Sequence, residues 1–146
     1  MKSVLQRVNQ AGVSVNGQVI AQINRGILVL FGVEKDDTED KLDYHIGKLL
    51  RLRIFPDQND KMNLSIQDIQ GDLLIVSQFT LAADCRKGNR PGFDNAKPPQ
   101  EAEHLYNRFV NQLRQESGLT VQTGSFGANM QVSLTNDGPV TFLLEN

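Results

Sequence analysis

Hydrophobic and polar positions change period several times along the chain. In "SVLQRVNQAGVSVNGQVIAQI" (3–23) short apolar runs flank Asn16-Gly17, a pair suited to the positive φ of a type I′ turn, which predicts a β-hairpin. Asn24-Arg25-Gly26 predicts a second turn before "ILVLFGVE" (27–34), whose unbroken apolar run suits a central strand covered on both faces. The period then lengthens in "DDTEDKLDYHIGKLLRLRIF" (36–55). Leu42, Ile46, Leu49 and Leu50 fall on one face of a helix, with Asp37 or Thr38 as the expected cap.

A polar turn over 57–63 precedes "GDLLIVSQFTL" (71–81), which reads as another buried strand. "KPPQEAEHLYNRFVNQLRQESG" (97–118) predicts a second helix. Pro98 and Pro99 suit its start, Ala102, Leu105, Phe109 and Leu113 share a face, and Gly118 suits its stop. The remainder, "LTVQTGSFGANMQVSLTNDGPVTFLLEN" (119–146), predicts three short strands broken at Gly124–Gly127 and at Asn136–Pro139. The expectation is a mixed, sheet-rich α/β domain spanning residues 1–146. About eight strands form packed sheets or a partial barrel beside two main helices. Too many strands are joined by tight turns for a simple doubly wound fold.

Composition narrows the chemistry. With 39% hydrophobic and 22% charged residues the chain has an ordinary soluble profile, and its apolar runs are too short to span a bilayer. "MKSVLQRVNQ" lacks the apolar stretch of a signal peptide. A lone Cys85 rules out an internal disulfide framework and suits a reducing cytoplasm. Two histidines and one cysteine, widely spaced, make no metal-ligand pattern, so neither metal nor cofactor is expected. The formal charge of −2 argues against a general basic field for nucleic acid. Between Asp84 and Lys97, however, Arg86, Lys87, Arg90 and Lys97 outnumber Asp84 and Asp94, which fits either a solvated loop or a local phosphate contact.

Where the apolar strand meets that basic loop stand Ser77, Gln78 and Thr80, polar groups that a strand core does not need. A serine hydrolase would need a base and an orienting acid, and no G-x-S-x-G elbow is present. Cys85 with His104 or His45 is a formal cysteine-hydrolase alternative, and Thr80 as nucleophile lacks a base. The remaining option is that the protein supplies geometry and hydrogen-bond donors while the substrate brings its own reactive group. Asp137-Gly138-Pro139, between apolar runs, is first a turn; a Gly-Pro peptide can also be cis and act as a rigid carbonyl wall.

Taken together, "SQFTLAAD" (77–84), "GANMQV" (127–132) and "NDGPVT" (136–141) resemble the D-aminoacyl-tRNA (D-tyrosyl-tRNA) deacylase family of the bacterial type. "LQRV" with Arg7, "LVLFGVEKDD", "RIF" and "KMNLS" carry the similarity across essentially the whole chain. The resemblance implies hydrolysis of the ester between a D-amino acid and the terminal adenosine of tRNA, together with removal of glycine from mischarged tRNA-Ala. It implies a cytoplasmic homodimer whose site lies at the subunit interface, with aminoacyl-tRNA as partner and no membrane or DNA.

By the same resemblance Gly138-Pro139 is cis and enters the neighbouring subunit's pocket, where its carbonyls hold the α-amino group and exclude an L side chain. Arg7 pins that element. Gln78 and Phe79 surround the scissile carbonyl, where main-chain N–H groups stabilise an oxyanion. Thr80 positions or hydrogen-bonds, Ser77 supports the strand end, and Met130 lines the pocket. The ribose 2′-hydroxyl assists hydrolysis. Three rivals stay open: a deacylase shifted towards glycyl- or L-alanyl-tRNA, a non-catalytic module that binds the tRNA end, and a Cys85/His104 hydrolase. Cys85 and Gly92 lie where the family varies, which leaves the loop's contacts to tRNA undefined.

Overall fold

The computed structural model describes residues 1–146. Strand β1 (Lys2–Val15) turns through Asn16 (φ 51°) and Gly17 (φ 79°), both in the left-handed region as the hairpin requires, into β2 (Gln18–Ile23). Strand β3 (Gly26–Gly32) pairs antiparallel with β1, and its other edge pairs parallel with β6 (Asp72–Ser77). Strand β7 (Val121–Thr123) continues the order β2-β1-β3-β6-β7, and β8 (Gln131–Glu145) lies antiparallel along β1. A small antiparallel pair, β4 (Phe55–Pro56) and β5 (Met62–Leu64), stands apart from the main sheet. The architecture is the mixed α/β fold that the sequence predicts, with eight strands and two main helices.

Central position explains the uniform apolar run of β3. Ile27, Val29 and Phe31 face a core shared with helices α1 (Leu42–Arg51) and α2 (Pro99–Ser117), while Leu28 faces the opposite side. Every member of that second core (Val8, Ala11, Val13, Ala21, Ile23, Leu28, Leu74 and Val76) comes from a strand, so the sheet curls over itself as a partial barrel. On the helical side Phe31 stacks on Phe109 with centroids 4.3 Å apart, and the Tyr106 hydroxyl donates to the Ile75 carbonyl at 2.9 Å. Burial pushes the Tyr106 phenol up to about 12. Helix α2 begins at its proline pair and stops at Gly118 (φ 66°), as predicted.

Three local expectations are corrected. A 3-10 turn at Glu39–Lys41 leads into α1, and neither Thr38 nor Asp37 caps a helical N–H with its side chain. Asp37 is drawn inward instead: its carboxylate accepts from the Met1 amino group at 2.6 Å, from Lys41 Nζ at 2.9 Å and from the Glu34 N–H at 2.7 Å. A buried ammonium is a stronger partner for a carboxylate than an exposed helix end. The strand predicted over 71–81 ends at Ser77, and Phe79–Ala82 forms a 3-10 turn. The two predicted final strands are one element, β8, which passes Asn136–Pro139 without ending.

Candidate active site

Strand β6 ends in the first polar group. Gln78 still donates its N–H to the Phe31 carbonyl at 2.8 Å, and the chain then coils into the 3-10 turn. That turn lies against β3 because Gly32 carries no side chain: a Cβ there would stand 2.8 Å from the Gln78 carbonyl oxygen and 2.9 Å from Leu81 Cβ. Phe79 is left 58% exposed, with its ring centroid 5.1 Å from that of Phe93. With the Gln78 N–H committed, the donors that open the turn are those of Phe79 and Thr80, which the turn itself does not use.

Gln78 Nε2 donates to Thr80 Oγ1 at 2.6 Å. A carboxamide is no base in either orientation, so this contact positions the hydroxyl without activating it. Ser77, half-buried at the strand end, has no side-chain partner within the chain. Neither histidine supplies the missing base. His45 is buried, with Nδ1 3.1 Å from Ser3 Oγ and Nε2 2.9 Å from Asn146 Oδ1, and burial lowers its pKa. His104 pairs with Glu39 at 3.0 Å on the exposed side of α2. Cys85 is exposed and hydrogen-bonds to neither, so the Cys85/His104 pairing is not formed.

The second group is built on the β1–β8 ladder. Gln6 pairs with Thr141 and Val8 with Asn136, so Arg7 alone opposes the four residues Asp137–Val140, which loop out of register. Asn136 closes the base of this excursion: its Oδ1 accepts from the Val140 N–H at 2.6 Å, and its Nδ2 donates to the Val140 carbonyl at 3.2 Å. Arg7, itself buried, holds the excursion from below. Its Nε donates to the Asp137 carbonyl at 2.9 Å and lies 3.2 Å from the Asp137 carboxylate, while its Nη1 donates to the Ile54 carbonyl at 2.6 Å. The loop therefore presents Gly138 (φ 146°) and Pro139, joined by a cis peptide bond, outwards to solvent.

Within one chain no hydrogen bond or salt bridge links the Ser77–Thr80 group to Gly138–Pro139. Met130 is partly buried against the strand-only core and close to Gly124, where a Cβ would stand 2.5 Å from its sulfur. Beside Leu81, a shallow groove of about 470 Å³ is lined by Thr141, Phe142 and Leu143 of β8, of which Leu143 is 60% exposed. Another groove, of about 370 Å³ over Gln10–Ser14 and Ser133–Thr135, contains no acid, base or thiol and lies off these residues. No cluster of His, Cys, Asp and Glu is arranged to hold a metal ion.

A family model described as D-Tyr-tRNA(Tyr) deacylase matches residues 4–145. The chain belongs to this family. It is accordingly a hydrolase of aminoacyl-tRNA, a D-aminoacyl-tRNA deacylase. The D-aminoacyl-tRNA deacylase of Clostridioides difficile is 57% identical over 146 residues, covering 100% of this chain and 97% of that one. That of Proteus mirabilis is 56% identical over 145 residues, covering 99% of each. A solved structure described as c-Myc DNA Unwinding Element Binding Protein superposes with a TM-score of 0.94 at 46% identity, covering 100% of this chain and 99% of that chain.

Several residues of this candidate site escape the motifs of the sequence. Asn136, Asp137 and Ile54 build the Arg7 anchor, yet "TND" reads as ordinary turn chemistry and Ile54 contributes only its carbonyl. Gly32 leaves one trace, as the small residue at the end of β3 within "ILVLFGVE".

Proposed function

We propose that the chain hydrolyses the ester linking a D-amino acid, or glycine, to the 3′ end of tRNA in the cytoplasm. In this reading two copies of the chain meet, and the Gly138–Pro139 loop of one enters the Ser77–Thr80 site of the other. The observation that carries it is the Arg7 anchor. A main-chain loop pushed out of a β-ladder, tied at its base by Asn136 and from beneath by a buried guanidinium, is a rigid steric element aimed outwards. It has no role within its own chain's polar site. Exposed Phe142 and Leu143 on the same strand supply apolar surface for the second copy.

Chiral selection then rests on exclusion. A fixed pair of main-chain carbonyls accepts the α-amino group, an L side chain has no room, and glycine passes because it has no side chain. Catalysis needs little from side chains, since an aminoacyl ester is already activated. The Phe79 and Thr80 N–H groups stabilise the oxyanion, and the ribose 2′-hydroxyl assists the attack. Gln78 and Thr80 position the ester, and Met130 lines the pocket.

The test is the hydrolysis of D-tyrosyl-, L-tyrosyl- and glycyl-tRNA by the wild type and by Thr80→Ala. The expected result is fast loss of the D and glycyl esters with the L ester spared, and a variant within about tenfold of wild type, because no base activates Thr80. Loss of all activity in Thr80→Ala would make it the nucleophile. Binding of charged tRNA with no hydrolysis by the wild type would leave only a module that holds the tRNA end.

A further inference from the structure

We propose that the loop of residues 85–91 is a phosphate clamp for the 3′ strand of the substrate tRNA, acting through Lys87 and Arg90 and not through Arg86; this rests on the deacylase reading above. The loop starts and ends at the site. Four residues separate Thr80 from its first residue, and Phe93, just beyond its end, packs on Phe79. Its neck is closed by two main-chain hydrogen bonds between Asp84 and Gly92, at 2.8 and 2.9 Å. Gly88 (φ 67°) turns the tip, and residues 85–91 are all exposed.

The four cations of this segment do different work. Arg86 is bound bidentately to Asp84, with Nε 2.9 Å from Oδ1 and Nη2 2.7 Å from Oδ2, so its charge, although exposed, is offset by a carboxylate at the neck. That guanidinium holds the Asp84 carboxyl far below the usual carboxylate range. Lys97 is held by the Lys35 carbonyl at 2.8 Å and lies 3.7 Å from Glu101. Lys87 and Arg90 make no ion pair, and no acid lies between them; Asp94 is the nearest unpaired acid in sequence, beyond the neck. From neck to tip the chain reaches at most ~14 Å, so both cations stay beside the terminal nucleotides of a tRNA whose ester lies at Thr80. A chain of formal charge −2 thus offers a polyanion a local grip next to its chemistry without a general basic field.

The experiment compares D-tyrosyl-tRNA with D-tyrosyl-adenosine, which has the same ester and no phosphate. In the Lys87→Glu/Arg90→Glu variant, KM for the tRNA ester rises about tenfold at low salt. The slope of log(kcat/KM) against log[salt] flattens by about 1 for each phosphate that is no longer neutralised. The adenosine ester reacts as in the wild type, which also reports an intact fold. Asp84→Asn/Arg86→Gln, which removes the internal pair without changing net charge, raises KM for the tRNA ester far less. Equal losses on both esters, or no loss on either, would overturn the clamp while leaving the deacylase reading in place. A wild type that cleaves neither ester overturns both.

Discussion

Two polar clusters are served by the same strand and are finished in opposite ways. At the start of β1 the Met1 amino group, Asp37, Lys41, Ser3, His45 and Asn146 bond to one another, mostly out of contact with solvent. Further along, Arg7 holds a loop whose tip, Gly138–Pro139, faces outwards, and the Ser77–Thr80 turn leaves Phe79 exposed. No buried side-chain nitrogen or oxygen anywhere in the chain lacks a partner. The first cluster is therefore complete, whereas the second spends its buried charge on aiming groups that themselves point away from the protein. Saturated networks stabilise a fold; groups that are held firmly but left unpaired at their tips are available to a substrate or a second copy.

The largest expected effect lies in the closed cluster. Asp37→Ala removes the nearer carboxylate from a fully buried ammonium and leaves it only Glu34 at 3.6 Å, which costs about 3 kcal/mol of stability in urea unfolding and leaves kcat of the folded fraction near wild type. A large kcat loss without destabilisation would dissolve the contrast between the clusters. Arg7→Ala should do the reverse at the site: loosening the excursion lowers D-ester hydrolysis by about 100-fold and narrows the gap between D and L substrates. Unchanged discrimination in that variant would mean that the loop needs no anchor.

The smallest effect is on pH. Burial holds the folded His45 pKa below its ordinary 6.5, despite the opposing hydrogen bond to Asn146, with the Met1 ammonium adding to the depression. The unfolded chain therefore takes up a proton first as pH falls. His45 contributes stability in full above about pH 6.5 and loses it below, by at most ~1.4 kcal/mol per pH unit. Burial opposes ionisation of Asp37, but its hydrogen bonds from Met1, Lys41 and Glu34 win and lower its pKa, so its contribution is lost only below 3.8. Urea midpoints measured from pH 7.5 to 5.5 check the first window, and a His45→Gln chain should flatten it.

Local periodicity determined most of the elements. The apolar run of β3, the faces of α1 and α2, the Asn16-Gly17 turn and the stop at Gly118 all follow from residue spacing and backbone preference, which act over a few positions. The motifs at 77–84, 127–132 and 136–141 likewise carried the family resemblance without any structure. Partners distant in sequence were settled only by the tertiary structure. Asp37 looked like a cap until Met1 was brought beside it, Asn136–Pro139 looked like a break until β1 ran alongside, and Arg86 looked as free as Lys87 until Asp84 turned to meet it. In each case a charged or hydrogen-bonding group, of side chain or main chain, had several chemically sensible partners, and packing of the sheet and helices decided which one came within reach.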